Sequence, residues 1–375
     1  MTRELYVGLM SGTSIDSIDA ALVEISEHQT QLLSALSYPL QQPLKQQLLT
    51  LCHDQQVDID LFGACDRQLA QHFASASNSL LTQAGVDAAE VKAIGSHGQT
   101  IRHRPSGSHG GPFTLQIGDP NIIALCTGID TVADFRRMDM AGGGQAAPLA
   151  PIFHQAFFQS REQNRTLINI GGMSNVTWLP RTGDIRGFDL GPGNALMDAW
   201  IDQHRQQPFD RDGQWAASGT VISELLDRLL SHPFFSLPAP KSTGREDFHL
   251  GWLNELLAAL PTTPRPADVQ ATLLELTAQS IVAGIKGEFL GEAVFICGGG
   301  AHNRTLLERL SQLLAPVPVT TTNDLGIAPD WVEACGFAWL AHRRLAGLAG
   351  NHPAVTGADQ FLVLGGVYLG NATKN

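Results

Sequence analysis

The chain reads as an α/β protein of two lobes, and three features predict this. Its 375 residues exceed what one simple core holds but suit two packed α/β units. Short apolar runs of strand type are interleaved with helical periodicity along the whole length. The pattern Gly-x-Met-Ser also occurs twice, at Gly8-Leu9-Met10-Ser11 and Gly171-Gly172-Met173-Ser174, each time between two apolar runs. Two halves related by pseudo-symmetry would leave such an echo. We expect one lobe from residues 1–135 plus 345–375 and the other from residues 136–344.

In the first half, Leu5–Leu9 and Ala20–Ile25 are apolar runs around a Gly/Ser/Asp-rich connection, which predicts a hairpin. A Gln-rich helical region runs from about Leu44 to Leu81. Val91–Gly95 is a strand leading into Ser96-His97-Gly98-Gln99-Thr100, and Ser106–Gly111 reads as a mobile loop. Thr131–Ala133 ends a further strand just before Asp134-Phe135-Arg136-Arg137. The second set follows Gly142-Gly143-Gly144. There Leu167–Ile170 and Asn175–Leu179 flank a glycine turn, and Val269, Leu273 and Leu276 mark a helix that Asp268 is placed to cap. Val294–Ile296 is a buried-type strand running into Gly298-Gly299-Gly300, and a helix carrying Glu333, Phe337 and Leu340 closes the unit.

Composition narrows the function. There are 36 acidic and 24 basic side chains, a formal charge of -12, which argues against a nucleic-acid binder. A nucleotide site stays open, because backbone N–H groups hold phosphate without local cations. The first residues lack the apolar run of a signal peptide, and no later stretch approaches the roughly 20 apolar residues of a membrane span. Five scattered cysteines form no metal-type pairs and read as reduced core thiols. A cytoplasmic enzyme is the expectation.

Three glycine turns are candidate phosphate or nucleotide cradles. In the first, Gly12 lets the main chain approach a phosphate, Ser11, Thr13 and Ser14 add hydroxyls, and Asp16 and Asp19 are candidate Mg²⁺ ligands. The Walker order is absent and no lysine lies in this turn, so a plain hairpin with small turn residues is the alternative. The second turn is Gly171-Gly172. The third, Gly298-Gly299-Gly300, offers a flat bed for adenosine, with Asn303 placed to cap the following helix. It lacks the last glycine of a dinucleotide-binding fingerprint.

Asp189 ends a strand before Leu190-Gly191-Pro192-Gly193-Asn194, as a general base or as an acceptor for its own turn's N–H groups. His97, Gln99, Thr100, Arg136 and Arg137 are placed to touch a polar substrate. The arginines suit a sugar acid's carboxylate, or else form surface ion pairs. His97, His103 and His109 have a spacing that fits no zinc pattern.

With these segments together, the chain resembles the 1,6-anhydro-N-acetylmuramic acid kinases. The matching blocks are Gly8–Asp19, Gly95–Thr100, Leu115–Asp119, Asp134–Arg137, Asn169–Asn175, Gly187–Asn194, Lys241–Glu246 and Cys297–Asn303, which span nearly the whole chain. The resemblance implies the two-lobed actin-like (ribonuclease H-like) fold with ATP and Mg²⁺ bound in an interlobe cleft, and a homodimer. It implies that Gly12, Thr13, Ser14, Ile15, Asp16, Ser17, Ile18 and Asp19 serve the ATP phosphates. Asp189 would be the catalytic base and Glu333 a second catalytic residue near the sugar, which Ser11, His97, Gln99, Thr100 and Arg136 would bind. The implied reaction opens the anhydro bridge with water and phosphorylates O6, in peptidoglycan recycling. Ser17, Leu190 and His249 depart from the family's usual Gly, Thr and Asn. A kinase for another anhydro-sugar, such as levoglucosan, and an actin- or Hsp70-like ATPase are the rival readings.

Overall fold

The computed structural model describes residues 3–12, 15–26, 30–54, 56–105, 107, 110–239, 241–244 and 247–370. Packing divides the chain into a first unit of residues 1–157 and 331–375 and a second of residues 158–330. The first contains β1 (Glu4–Ser11), β2 (Ser17–Ile25), β3 (Thr30–Pro39), α1 (Gln42–His53), α2 (Ile59–Ala84) and β4 (Val91–Ser96). It continues with β5 (Gln99–Arg104), β6 (Phe113–Ile117), α3 (Pro120–Thr127), β7 (Thr131–Ala133), α4 (Arg137–Ala141) and α5 (Ala150–Phe158). The second holds β8 (Arg165–Ile170), β9 (Met173–Leu179), β10 (Arg186–Pro192), α6 (Ala195–Arg205), α7 (Gln214–Ala217), α8 (Ser223–Leu230) and α9 (Leu250–Ala258). Then come α10 (Pro266–Ile285), β11 (Ala293–Cys297), α11 (Arg304–Leu314) and β12 (Val319–Thr321). The chain returns to the first unit with α12 (Val332–Leu345), α13 (Pro353–Thr356) and β13 (Gly366–Tyr368).

One strand plan occurs in both units. In the first, β1, β2 and β3 form an antiparallel meander, and β4 and then β7 add in parallel beside β1, giving the order β13-β7-β4-β1-β2-β3. In the second, β8, β9 and β10 form the meander and β11 and β12 add in parallel beside β8. This duplicated order is that of the actin-like class. The Gly-x-Met-Ser echo, in contrast, is out of register. Met10 and Ser11 end β1 before its turn, whereas Met173 and Ser174 open β9 after the matching turn.

The first unit takes in α12, which the division expected at 344/345 assigns to the other lobe. That helix lies across β1 and β4, where Gly8 and Gly95 are register partners. A Cβ at Gly8 would overlap the Ala334 carbonyl oxygen, and one at Gly95 the Phe337 carbonyl oxygen. The two missing side chains let helix backbone rest on sheet backbone, so α12 belongs to the first core. Two further differences are local. The Leu44–Leu81 region is two helices, and Asp58 caps the second through Asp60 N–H. Asp268 does not cap α10: Pro266 occupies the first turn after Arg265, and the Asp268 carboxylate instead binds Arg265 and the Thr220 N–H.

His154 on α5 is 1 % exposed, and burial pushes its imidazole down to about 3 from an ordinary 6.5. The unfolded chain takes this proton near pH 6.5, while the folded chain refuses it until about pH 3. Below pH 6.5 the unfolded state therefore binds more protons, and stability falls by up to about 1.4 kcal/mol per pH unit. Above 6.5 this contribution is flat. His154→Leu is expected to remove that much of the acid-side slope in urea melts. An unchanged slope would mean that the ring titrates as if in water.

Candidate active site

In the first unit the expected polar residues gather at the carboxyl ends of the parallel strands β1, β4 and β7, where α/β sheets bind ligands. Ser11 ends β1, and its hydroxyl donates to Gln99 Oε1 at 2.7 Å. His97 follows β4, and its N–H donates to the Leu9 carbonyl of β1. Arg136 follows β7. Its Nε–H donates to His97 Nε2 at 2.9 Å, and Nη1 donates to the Ala146 carbonyl at 2.6 Å. The His97 proton is thereby placed on Nδ1, which donates to the Gly98 carbonyl at 2.8 Å. Burial, and then the Arg136 charge, hold this imidazole well below its ordinary value, so it is neutral.

Burial also lowers Arg136 to about 10, opposed by the nearby Glu333 and Asp139 carboxylates. Glu333 lies in the first turn of α12. Burial and the Asp19 charge raise its carboxyl, while Arg136 works the other way. Arg136 thus turns inward to His97, whereas Arg137 makes the surface ion pair, with Asp134 at 2.7 Å. Thr100 lies on the β5–β6 hairpin, where its hydroxyl accepts from Gln116. His109, Ser106, Thr13, Ser14, Arg245 and Glu246 lie outside the described residues.

The first glycine turn connects β1 to β2. Ile15 is buried at φ 55°, an uncommon conformation for a β-branched residue, and its N–H closes the turn onto the Gly12 carbonyl. Ile15 and Ile18 side chains are core, which confines their part in a cradle to the main chain. Asp16 pairs with Lys45 of α1, and Asp19 on β2 receives a long 3.4 Å hydrogen bond from Ser17. Among the described residues no group of three or more His, Cys, Asp or Glu is arranged to hold a metal. Mg²⁺ asks for one or two carboxylates beside substrate phosphates, and Asp16 and Asp19 are the carboxylates at this turn.

In the second unit all the glycine turns converge. Gly171-Gly172 follows β8 and is clamped by the N–H groups of Gly193, Asn194 and Ala195 at 2.8–3.1 Å. Gly298, at φ 75°, follows β11, and a Cβ there would overlap Asn169 Oδ1. The fold likewise demands Gly193 and Gly300, whose Cβ positions overlap Gly171 backbone and the Ile170 side chain. Gly171, Gly172 and Gly299 meet nothing closer than 3.6 Å among the described residues and leave open a bed in the second unit that side chains would fill. In the first unit a Cβ at Gly12 meets nothing within 4 Å among the described residues. Asn303 caps α11 as expected, accepting the Leu306 N–H at 3.0 Å.

Asp189 lies within β10, at a bulge that displaces Leu190, rather than at a strand end. Its Oδ2 accepts from the Thr243 N–H at 3.0 Å, a partner 54 residues away and not its own turn. Asp189 faces Asn175 on β9, and Asn175 faces Asn169 on β8. Opposed residues share a sheet face, so Asn169, Asn175 and Asp189 form a polar row from the Gly298 bed to the carboxylate. Asn175 Oδ1 is buried and finds no hydrogen-bond donor among the described residues. Asn175 and Thr243 were missed as site residues. For Asn175 the available signal was an asparagine recurring in both β8 and β9; Thr243 lies outside any strand and offered no such signal. Two of the departures have structural roles: His249 caps α9 by accepting the Trp252 N–H, and Leu190 fills the space over Gly284.

A strand plan repeated in both units, with glycine turns at the ends of parallel strands, defines an α/β protein of the actin-like fold class. The family model for anhydro-N-acetylmuramic acid kinase matches residues 4–370, and the chain belongs to that family. A relative from Saccharophagus degradans described as anhydro-N-acetylmuramic acid kinase is 51% identical over 369 residues, covering 98% of this chain and 100% of its own. Similar relatives of the same description occur in Shewanella sediminis (50% over 369 residues, 98% and 99% covered) and Aliivibrio fischeri (47% over 370, 98% and 100%).

Proposed function

We propose that the protein uses ATP to convert 1,6-anhydro-N-acetylmuramic acid into N-acetylmuramic acid 6-phosphate and ADP, as a step in peptidoglycan recycling. The observation that carries this reading is the polar row joining the glycine bed to Asp189. Asp189, held by Thr243, removes a proton from a water that attacks C1. The bridge oxygen released at O6 is then the nucleophile for in-line transfer of the γ-phosphoryl group. Because O6 passes directly from carbon to phosphorus, no strong general acid is needed for its departure. The open glycine turns at Gly171, Gly172 and Gly299 receive the nucleotide, because without side chains their backbone N–H groups can approach it closely.

Arg136 commits two of its five N–H donors to His97 and Ala146 and offers others to the lactyl carboxylate. Ser11, Gln99 and Glu333 bind the sugar's free 4-hydroxyl and its acetamido group. Asp19 would hold Mg²⁺, which when bound spreads the phosphate charge. The reading places the protein in the cytoplasm, as the homodimer its family resemblance implies. The test is ADP release with and without 1,6-anhydro-N-acetylmuramic acid. Release that requires this sugar is expected. Equal release without it would sink the kinase reading in favour of a motor- or chaperone-type ATPase.

A further inference from the structure

We propose that Asp139 is a positioning residue for the Arg136–His97 pair, and that the C-terminal segment around Asn351 and Thr356 holds it in place. Asp139 is completely buried on α4. Its Oδ1 accepts from Asn351 Nδ2 at 2.8 Å and from the Thr356 hydroxyl at 2.7 Å, and its Oδ2 accepts the Ala146 N–H at 2.7 Å. A Cβ at Gly144 would overlap Oδ2, so the loop from Gly142 to Ala146 wraps the carboxylate closely.

Ala146 is fully buried at φ 58°, a conformation an alanine keeps only when its surroundings impose it. What this conformation accomplishes is visible on its two sides. The Ala146 N–H points to Asp139, and its carbonyl points to Arg136 Nη1 at 2.6 Å. Arg136 in turn donates to His97 Nε2. The relay thus runs from Asp139 through one strained residue to the guanidinium and the imidazole tautomer. The same loop is tied to the C-terminal segment by Gln145 N–H to the Thr356 carbonyl and Asp359 N–H to the Gly142 carbonyl, both 2.8 Å. Asn351 is itself fixed, accepting the Leu362 N–H at 2.6 Å. The Asp139 charge also helps keep the buried Arg136 cationic.

This inference rests on the reading that Arg136 binds the sugar, and the test separates the two. Asp139→Asn, Thr356→Val, Arg136→Ala and the Asp139→Asn/Arg136→Ala pair are assayed for KM toward 1,6-anhydro-N-acetylmuramic acid and toward ATP. His97 ring ¹⁵N shifts are recorded in the free enzymes that retain Arg136. Asp139→Asn is expected to raise the sugar KM about ten-fold and leave the ATP KM unchanged. In the Arg136→Ala background it adds less than about two-fold, because the relay then ends on nothing. Thr356→Val shifts in the same direction by about three-fold, and keeps the test alive if Asp139→Asn does not fold. In the free enzyme the His97 shifts move from the Nδ1–H tautomer toward a mixture. Equal loss of both KM values, or full additivity with Arg136→Ala, would reduce Asp139 to general support and overturn the proposal. If Arg136→Ala leaves the sugar KM untouched, the sugar-binding reading fails. The His97 shifts then decide the relay by themselves, an unmoved tautomer in Asp139→Asn refuting it.

Discussion

Asp189→Asn is expected to lower kcat about 10³-fold with little change in either KM, the loss expected for removing a positioned general base. The substitution is isosteric. Asn Oδ1 accepts the same Thr243 N–H that now meets Asp189 Oδ2 at 3.0 Å, so the bulge in β10 persists and the thermal midpoint holds. What the amide lacks is proton affinity. A kcat within about ten-fold of the parent would mean that another carboxyl, Glu333 foremost, takes the proton. A fall in midpoint alongside the fall in kcat would instead mark Asp189 as a structural acceptor.

The second large effect is on the fold. Gly8→Ala adds one methyl group where the Ala334 carbonyl oxygen and the Ala338 nitrogen of α12 already stand. These are backbone atoms inside a helix, and no rotamer change moves them aside. The helix must lift from β1 and β4, which is expected to cost about 3 kcal/mol, the upper range for overpacking. Calorimetry should register this as a midpoint lower by about 6–12 °C. Gly12→Ala, whose Cβ meets nothing, is the matched control for stability. Equal midpoints for the two variants would contradict the account of why α12 belongs to the first unit.

Strands that are short apolar runs bounded by glycine or polar turns were legible in the sequence, as with Leu5–Leu9 and Val294–Ile296, whereas β3, β5, β6, β12 and β13, more polar or only three residues long, were not. The glycine turns were legible for the same reason. What escaped was decided by partners far along the chain. Asp139 meets Asn351 and Thr356 across 212 and 217 positions, and nothing local in Arg-Arg-Met-Asp-Met distinguishes it from a surface acid. Arg136 and Arg137 are neighbours of identical chemistry, and only the αL residue Asp134 and the turn after it send one inward and the other to an ion pair. Helix α12 follows the second sheet in sequence yet packs against two glycines of the first, a partnership that no local pattern announces. The Gly-x-Met-Ser echo pointed to a true duplication with the wrong alignment, since strand topology and not short sequence identity relates the two units.

The central claim is that water attacks C1 while the bridge oxygen itself becomes the phosphate ester. Running the reaction with ATP and 1,6-anhydro-N-acetylmuramic acid in oxygen-18 water tests it most directly, with the label located by fragment mass of the sugar phosphate. One oxygen-18 is expected at the C1 hydroxyl and none in the phosphate or at O6. Label in the phosphoryl group, or a phosphorylated sugar whose anhydro bridge is still closed, would contradict it.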